Sequence, residues 1–251
     1  MNIEILTIFP ESFDSPLKSS LMGKACDSGL LTISTTDIRD FSTDKHRTVD
    51  DTPFGGGAGM VMKVEPLDIA ITHILNKYAG VKPKILLTSA SGNKFNQKKA
   101  EELAREELLI IICGRYKGID ERLLSLYDID QISIGDYVLN GGETAALVIA
   151  EATARLIPGY MGKLEAAEDD SFAWGILGYP VYTQPQEYKG LKVPDVLVSG
   201  HHAKINAYLR KMALIKTLKM RPELMSEDKL SSEDKKILTD IDKTKNEKNM
   251  P

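Results

Sequence analysis

The stretch Leu108–Gly118, LLIIICGRYKG, decides the architecture. A short apolar run that ends abruptly in glycine is the pattern of a strand buried on both faces, followed by a turn. Similar β-branched runs lie on either side of it, at Ile3–Phe9, Leu30–Ile38, Lys84–Ser89 and Gln131–Ile134. Helical stretches separate several of them. Ser15-Pro16 opens a predicted helix that closes near Gly29. Glu65–Tyr78 places Leu67, Ile71, Ile74 and Leu75 at helical spacing, and Asn96–Glu107 is rich in Ala, Glu, Lys and Arg. Strands alternating with helices imply an α/β domain, a mainly parallel sheet with helices on both faces.

A largely apolar helix is expected over Glu143–Ile157, stopped by Pro158-Gly159. Polar residues follow, including Glu168-Asp169-Asp170. The expected organisation is therefore a first domain over residues 1–160, a linker over 161–171 and a small, mainly helical C-terminal domain over 172–251. The last holds a Pro/Tyr/Gln-rich loop (Tyr179–Tyr188) and a helix near Ala203–Lys219. Its charged tail from Ser226 is read as one short helix with a frayed end.

With 251 residues, 42% hydrophobic and 27% charged, the composition is ordinary for a globular protein with a sizeable core. A net charge of −4 excludes a globally basic nucleic-acid coat but allows a local basic face. Two cysteines, Cys26 and Cys113, exclude a disulfide scaffold and a four-cysteine zinc site. Cys113 ends an apolar run and reads as a buried thiol. MNIEILTIFP is too short and acidic for a signal peptide, and no apolar run reaches the roughly 18 residues of a membrane span. A reducing cytoplasm is the expected setting, with no membrane partner.

Four glycine clusters punctuate the chain. FGGGAGM (Phe54–Met60) is neither a Walker A loop, since no GK[ST] follows, nor a G-x-G-x-x-G turn. Alone it marks a sharp turn or a close backbone approach. SASG (Ser89–Gly92), GRYKG (Gly114–Gly118) and GDYVLNGG (Gly135–Gly142) each follow a predicted strand. Ligands of open α/β sheets bind at the carboxyl ends of strands. Three such loops could hold a flat small molecule by their backbone groups, and the missing phosphate signatures argue against a triphosphate.

These segments belong to a longer set that resembles a known family, the bacterial tRNA (guanine-N1)-methyltransferases (TrmD) of the knotted SPOUT class. The matching stretches are VDDTPFGGGAGMVMK (Val49–Lys63), CGRYKGIDER (Cys113–Arg122), SIGDYVLNGGE (Ser133–Glu143), RLIPGYMG (Arg155–Gly162), DSF (Asp170–Phe172), YPVYTQP (Tyr179–Pro185) and VPDVLVSGHHAKI (Val193–Ile205). They run in the family's order over about 200 residues. The resemblance implies a deep trefoil knot around Cys113–Gly142, a feature too rare to read from strand patterns. It implies S-adenosylmethionine as cofactor and tRNA as substrate. It also implies a homodimer whose two subunits share each active site, and methylation of N1 of guanosine 37, next to the anticodon.

Guanine N1 is protonated at neutral pH, so it must lose that proton to attack a sulfonium methyl. By resemblance, Asp170 is the base, worth about 10²–10⁴-fold. Arg155 stabilises the charge that develops on N1 and O6. On residues alone, Asp170 is a linker carboxylate like its neighbours, and Arg155 a cation at a helix C-terminus. The resemblance assigns the cofactor to Leu87, Thr88, Ser89, Ala90, Gly114, Ile134, Gly135, Asp136, Tyr137, Val138, Leu139, Gly141 and Gly142. It assigns the target guanosine and its 5′ neighbour to Asp51, Gly55, Gly59 and Phe172, the aromatic ring suited to stack on a splayed base. A basic stretch with His201, Lys204 and Arg210 reads either as a solvated helix face or as a contact to the tRNA backbone. His201-His202 has no nearby cysteine, and no residue is assigned to a metal.

The chain departs from the family's pattern in places. Lys117 stands for a usual Glu, Gly178 for an acidic residue, Ala90-Ser91 for Pro-Gln, Asn140 for Ser, Gln184 for Arg and Tyr208 for Trp. The family resemblance implies that Mg²⁺ can assist, with acidic ligands near the base. Lys117 and Gly178 remove two of them, so weaker Mg²⁺ dependence is expected. The rival readings are another SPOUT enzyme, such as a ribose 2′-O-methyltransferase, and a non-catalytic RNA-binding relative. A nucleotide-triphosphate enzyme is disfavoured by the failed phosphate-loop tests.

Overall fold

A computed structural model describes residues 1–161, 170–225 and 230–248, with side chains to residue 241. The chain divides into two compact units, Met1–Leu164 and Glu165–Pro251. The expected linker, 161–171, falls for the most part outside the described residues.

The first unit is built on five strands: β1 (Asn2–Thr7), β2 (Thr32–Asp37), β5 (Lys84–Lys94), β6 (Leu108–Cys113) and β7 (Ile129–Ser133). They form one sheet in the order β2-β1-β6-β5-β7, and every pairing is parallel. All five apolar runs of the sequence are strands of this sheet. A two-residue hairpin, β3 (Asp50–Asp51) with β4 (Val61–Met62), carries the glycine cluster 55–59.

The central strand β6 shows why the sheet sits where it does. Leu108, Ile110 and Ile112 face one core, with Leu6, Ile85 and Leu87. Leu109, Ile111 and Cys113 face the other, with Ile3, Ile5 and Leu86. Alternation along a strand sends successive side chains to opposite faces, and here both faces are covered. Helix α3 (Val64–Lys77) buries Leu67, Ala70, Ile71 and Ile74 against the first. Helices α4 (Gln97–Leu103) and α6 (Glu143–Ala154) bury Leu103, Ala146, Ile149 and Ala150 against the second. Each fully buried aliphatic side chain stabilises by about 1.5–3 kcal/mol. Cys113 is buried, and burial holds its thiol pKa well above the ordinary value, the Glu143 carboxylate adding to the effect.

Several helix expectations need correction. The helix over residues 15–29 is two, α1 (Asp14–Lys18) and α2 (Ser20–Asp27). Ser19 is extended, its hydroxyl bonding the Pro16 carbonyl, and Ser20 has φ +54. A Cβ at Gly23 would stand 2.6 Å from the Lys18 carbonyl oxygen, so the break brings two backbones into contact that only glycine allows. Helix α4 starts one residue after its Asn96 cap, whose side chain accepts from the Lys99 amide at 3.0 Å, and ends at Leu103 rather than near 107. Helix α6 ends at Ala154, three residues early. A short helix α5 (Arg122–Leu126) was not anticipated.

The second unit has a small hairpin, β8 (Glu187–Tyr188) with β9 (Leu191–Lys192), and two long helices, α7 (His202–Met220) and α8 (Ser232–Lys248). Ile176, Ala213 and Leu214 form its core, with Tyr179, Leu230, Ile237 and Leu238 against them. The tail is thus a 17-residue helix rather than a short one. Its start is a reciprocal cap: the Asp234 amide donates to the Ser231 hydroxyl at 3.1 Å, and the Ser231 amide to the Asp234 carboxylate at 3.0 Å. Asp234 also takes two bonds from Arg210, at 2.8 and 2.7 Å. Arg210 lies 5.3 Å over the ring of Trp174, the single tryptophan.

The Asp234 side chain is 2% exposed, and the Arg210 guanidinium beside it pulls its pKa down to about 2. Such a group stabilises fully above the unfolded carboxylate value, about 3.9, and the contribution is lost as pH falls through the folded one. Asp234→Asn is expected to cost about 3 kcal/mol, because it leaves a largely buried guanidinium without its counter-charge. Tryptophan fluorescence should report both effects: a transition between about pH 4 and pH 2 in the wild type, absent from the variant. An unchanged variant would show that α8 docks without the pair.

Candidate active site

The bulged second half of β5, where SASG lies inside the strand rather than after it, and the loops that follow β6 and β7 line one cleft of about 360 Å³. They are held together where the strands end. The Thr88 hydroxyl donates to the Ile112 carbonyl at 3.2 Å and accepts from the Gly114 amide at 3.1 Å. The Gly142 amide donates to the Gly114 carbonyl at 2.8 Å. A Cβ on Gly142 would lie 1.8 Å from the Thr88 hydroxyl oxygen and 2.8 Å from the Gly114 nitrogen. A Cβ on Gly114 would lie 2.7 Å from the Thr88 carbonyl oxygen. The backbones meet at distances no side chain permits, so the glycines at 114 and 142 are demanded by the fold itself.

Two further glycines shape the rim. Gly135 has φ +153, and a Cβ there would overlap the ring of Tyr137, whose hydroxyl donates to the Ile134 carbonyl at 3.2 Å. Gly141 faces the Arg115–Glu143 pair, with a Cβ falling 2.3 Å from the carboxylate and 2.5 Å from the guanidinium. Glu143 is buried. It accepts from the Thr7 hydroxyl at 3.0 Å and from Arg115 at 3.3 Å, while Arg115 also stacks 4.5 Å over Phe9. Side chains from β1, the β6 loop and the start of α6 are thereby tied into one brace beneath the cleft.

The sequence-predicted residues 87–90, Gly114, Ile134, Gly135, 137–139, Gly141 and Gly142 all line this cleft. Asp136 does not. Its carboxylate is turned to an exposed pair with Lys94 at 2.6 Å. The cleft also takes Arg115, Tyr116, Lys117, Ile119 and Glu121 of the CGRYKGIDER stretch, and Leu124 just beyond it, none of which the sequence reading places in the cofactor set. Their signal was their position directly after a both-face-buried strand.

Hairpin β3–β4 lies beside the same loop. Lys117 donates its amide to the Met60 carbonyl at 3.0 Å, Met62 to Gly118 at 3.0 Å and Asp120 to Met62 at 2.9 Å. Gly55, Gly56, Gly57 and Gly59 all have positive φ, and Phe54 is fully exposed. Asp51 is exposed, its carboxylate accepting from the Thr52 amide at 2.7 Å. Asp51, Gly55 and Gly59 are therefore on one hairpin, stitched to the loop that lines the cleft.

The other expected residues lie elsewhere. Arg155 caps the C-terminus of α6 and lines a separate groove with Glu151, Leu17, Ser20 and Tyr160. Within one chain it is not among the residues of the main cleft. Asp170 and Phe172 are in the second unit, on a turn closed by the Phe172 amide to the Ile176 carbonyl at 2.7 Å. Phe172 holds φ +76, a strained value for a bulky residue. His201 and Lys204 are exposed at the start of α7. Arg210, expected in the same basic stretch, has its guanidinium bonded to Asp234 and set over Trp174. Among the described residues, no three carboxylate, imidazole or thiol groups converge as a metal site would require. No helix among them is long and apolar enough to cross a membrane.

An all-parallel α/β unit whose cleft is built from glycine loops at strand ends is a small-molecule site of the kind a transferase uses. The model of the family described as "tRNA (Guanine-1)-methyltransferase TrmD" matches residues 1–227. A tRNA (guanine-N(1)-)-methyltransferase of Desulforamulus reducens is 50% identical over 241 residues, 96% of this chain and 95% of that protein. One of Citrifermentans bemidjiense is 50% identical over 248 residues, 99% of both chains. A third, of Geobacter sp., is 49% identical over 248 residues. The chain belongs to the TrmD family of tRNA (guanine-1)-methyltransferases. Membership brings the SPOUT fold of the family, and implies its knot.

Gly142→Ala should cost about 1–3 kcal/mol of unfolding free energy in urea titrations, the usual scale of overpacking. In a Thr88→Ala background the same substitution should cost less, because the closest clash is gone. Equal costs in the two backgrounds would mean that Thr88 and Gly142 do not touch.

Proposed function

We propose that this chain transfers a methyl group from S-adenosylmethionine to N1 of guanosine 37 of tRNA. The observation that carries the reading is the convergence of three glycine loops on one cleft beside the glycine hairpin 55–59, in a chain of this family. The cleft suits the donor: Leu87, Leu139 and Leu124 offer apolar surface for a ring, and the glycine loops offer backbone groups for its polar edges. The donor, when bound, supplies an electrophilic methyl.

The remaining chemistry is that of the chain's own side chains. Asp170 takes the N1 proton, and Arg155 faces the negative charge that grows on N1 and O6 as it leaves. Asp51 and the glycine hairpin hold the splayed guanosine, and Phe172 stacks on it. His201 and Lys204 meet the tRNA backbone. Residues 1–160 form the donor-binding catalytic domain and 172–251 the tRNA-binding domain. In one chain Arg155 lines a groove apart from the cleft, which supports a homodimer whose sites are each completed by the second copy. The working compartment is the cytoplasm.

Labelled S-adenosylmethionine with tRNA transcripts carrying guanosine or adenosine at position 37 tests the whole reading. Label should enter only the first, and label in a ribose hydroxyl would favour the rival SPOUT chemistry. Asp170→Asn keeps size and hydrogen-bonding reach but removes the base. Its turnover is expected to fall at least about 100-fold, with donor affinity unchanged. Near-normal turnover would remove Asp170 from the mechanism.

A shared site also predicts complementation. Mixed as verified heterodimers, Asp170→Asn chains and chains whose cleft is blocked at an exposed lining position, Ala90→Trp, should recover activity, because one intact cleft then meets one intact base. No recovery would assign a whole site to each chain.

Mg²⁺ fits this chain poorly. Lys117 stands at the cleft rim where a carboxylate is expected, and Gly178 offers no ligand side chain, so a single carboxylate, Asp170, remains of the expected set. Single-turnover transfer to a short anticodon stem-loop should therefore survive EDTA. Loss of transfer that Mg²⁺ restores would overturn this.

A further inference from the structure

Lys117 is a charged feature of the cleft that the assignments above leave without a ligand. It lines the cleft, is exposed, and follows Tyr116, whose φ of +59 turns the chain sharply at that point. The turn lays the lysine over the glycine hairpin. A Cβ at Gly59 would meet the lysine methylenes at 3.1–3.5 Å, and one at Gly57 would meet the ammonium nitrogen at 3.3 Å. The glycines thus leave the space that the lysine stem occupies, and the ammonium is held above the loop. Its amide bond to Met60 fixes the stem from below.

The other basic residue of the cleft, Arg115, is neutralised by Glu143 and stacked on Phe9. Among the described residues Lys117 has no carboxylate within ion-pair distance. A positioned ammonium without a counter-charge is a site for an anion. Next to it, Gly55 and Gly56 turn bare backbone to open space, with nothing within 4 Å of either Cβ position, and Phe54 stands fully exposed. A cation laid over a hairpin that carries open backbone and an exposed ring supplies the elements that bind a single-stranded nucleic acid: charge for a phosphate, a ring for a base.

We propose that Lys117 binds a backbone phosphate of single-stranded RNA lying along the glycine hairpin 55–59, beside the base to be methylated. The inference rests on the functional reading above and adds a specific anchor to it. The ammonium stands over the hairpin, 3.3 Å from a Cβ position at Gly57, which favours the RNA phosphate over a carboxylate of the bound donor.

The test is the salt dependence of binding to an anticodon stem-loop with guanosine at position 37, measured for the wild type, Lys117→Gln and Lys117→Arg. Each phosphate neutralised on a single strand contributes about 0.7 to the slope of log affinity against log salt. Lys117→Gln should lower the slope by about that amount, and Lys117→Arg should keep it. Affinity for S-adenosylmethionine, measured alone, should be the same in all three proteins. Equal slopes for wild type and Lys117→Gln, with a wild type that binds and methylates the stem-loop, would overturn the inference alone. Weakened donor binding with an unchanged slope would move the ammonium's partner to the donor and overturn it as well. A wild type that neither binds nor methylates the stem-loop would instead overturn the functional reading beneath it.

Discussion

The crossing of Thr88, Gly114 and Gly142 is the contact on which the rest of the first unit depends. Parallel strands bring their carboxyl ends to one edge of a sheet, but that alone leaves three separate loops. Here a single hydroxyl bonds the end of β6 and the loop after it, and two glycines let the returning chain pass within bonding distance of both. A Cβ at 114 or 142 would stand 2.7–2.9 Å from the neighbouring backbone, closer than such contacts allow, and at 142 it would also overlap the Thr88 hydroxyl. The cleft is therefore a by-product of a backbone-to-backbone contact. Its walls are tied to one another by the Thr88 hydroxyl and the bond from Gly142 to Gly114, which is the preorganisation a binding site needs.

Much of this was legible in the sequence. A run such as LLIIIC has no polar face, so it can only be a strand covered on both sides, and the parallel sheet follows. GRYKG and GDYVLNGG mark loops because a glycine after such a strand signals a turn or a close approach, whereas SASG lies inside β5 at a shift of register. The helix boundaries were less legible, for local reasons. The break at Ser19-Ser20 depends on a contact between Lys18 and Gly23 that no periodicity encodes. The length of α8 depends on a cap formed by Ser231 and Asp234 and on an arginine from another helix. The brace of Thr7, Arg115 and Glu143 spans 136 residues between its first and last members, and nothing in either segment announces the other.

Charge is divided between holding the fold and meeting a ligand, and the sequence alone does not distinguish the two. Arg210 looked like its basic neighbours, yet it is bound to a carboxylate that is almost wholly buried. Arg115 sits in the cleft, yet Glu143 and Phe9 use it for structure. Lys117, His201 and Lys204, by contrast, are exposed. Within one chain Arg155 lines a groove apart from the cleft.

The most direct measurement is amide hydrogen exchange of the full chain with and without S-adenosylmethionine. The account places the donor on backbone groups at the ends of β5, β6 and β7. Protection is expected in residues 88–91, 114–118 and 134–142 together, because the loops are joined at one crossing. Protection confined to the groove around Arg155, or to the second unit with these three loops unchanged, would contradict it.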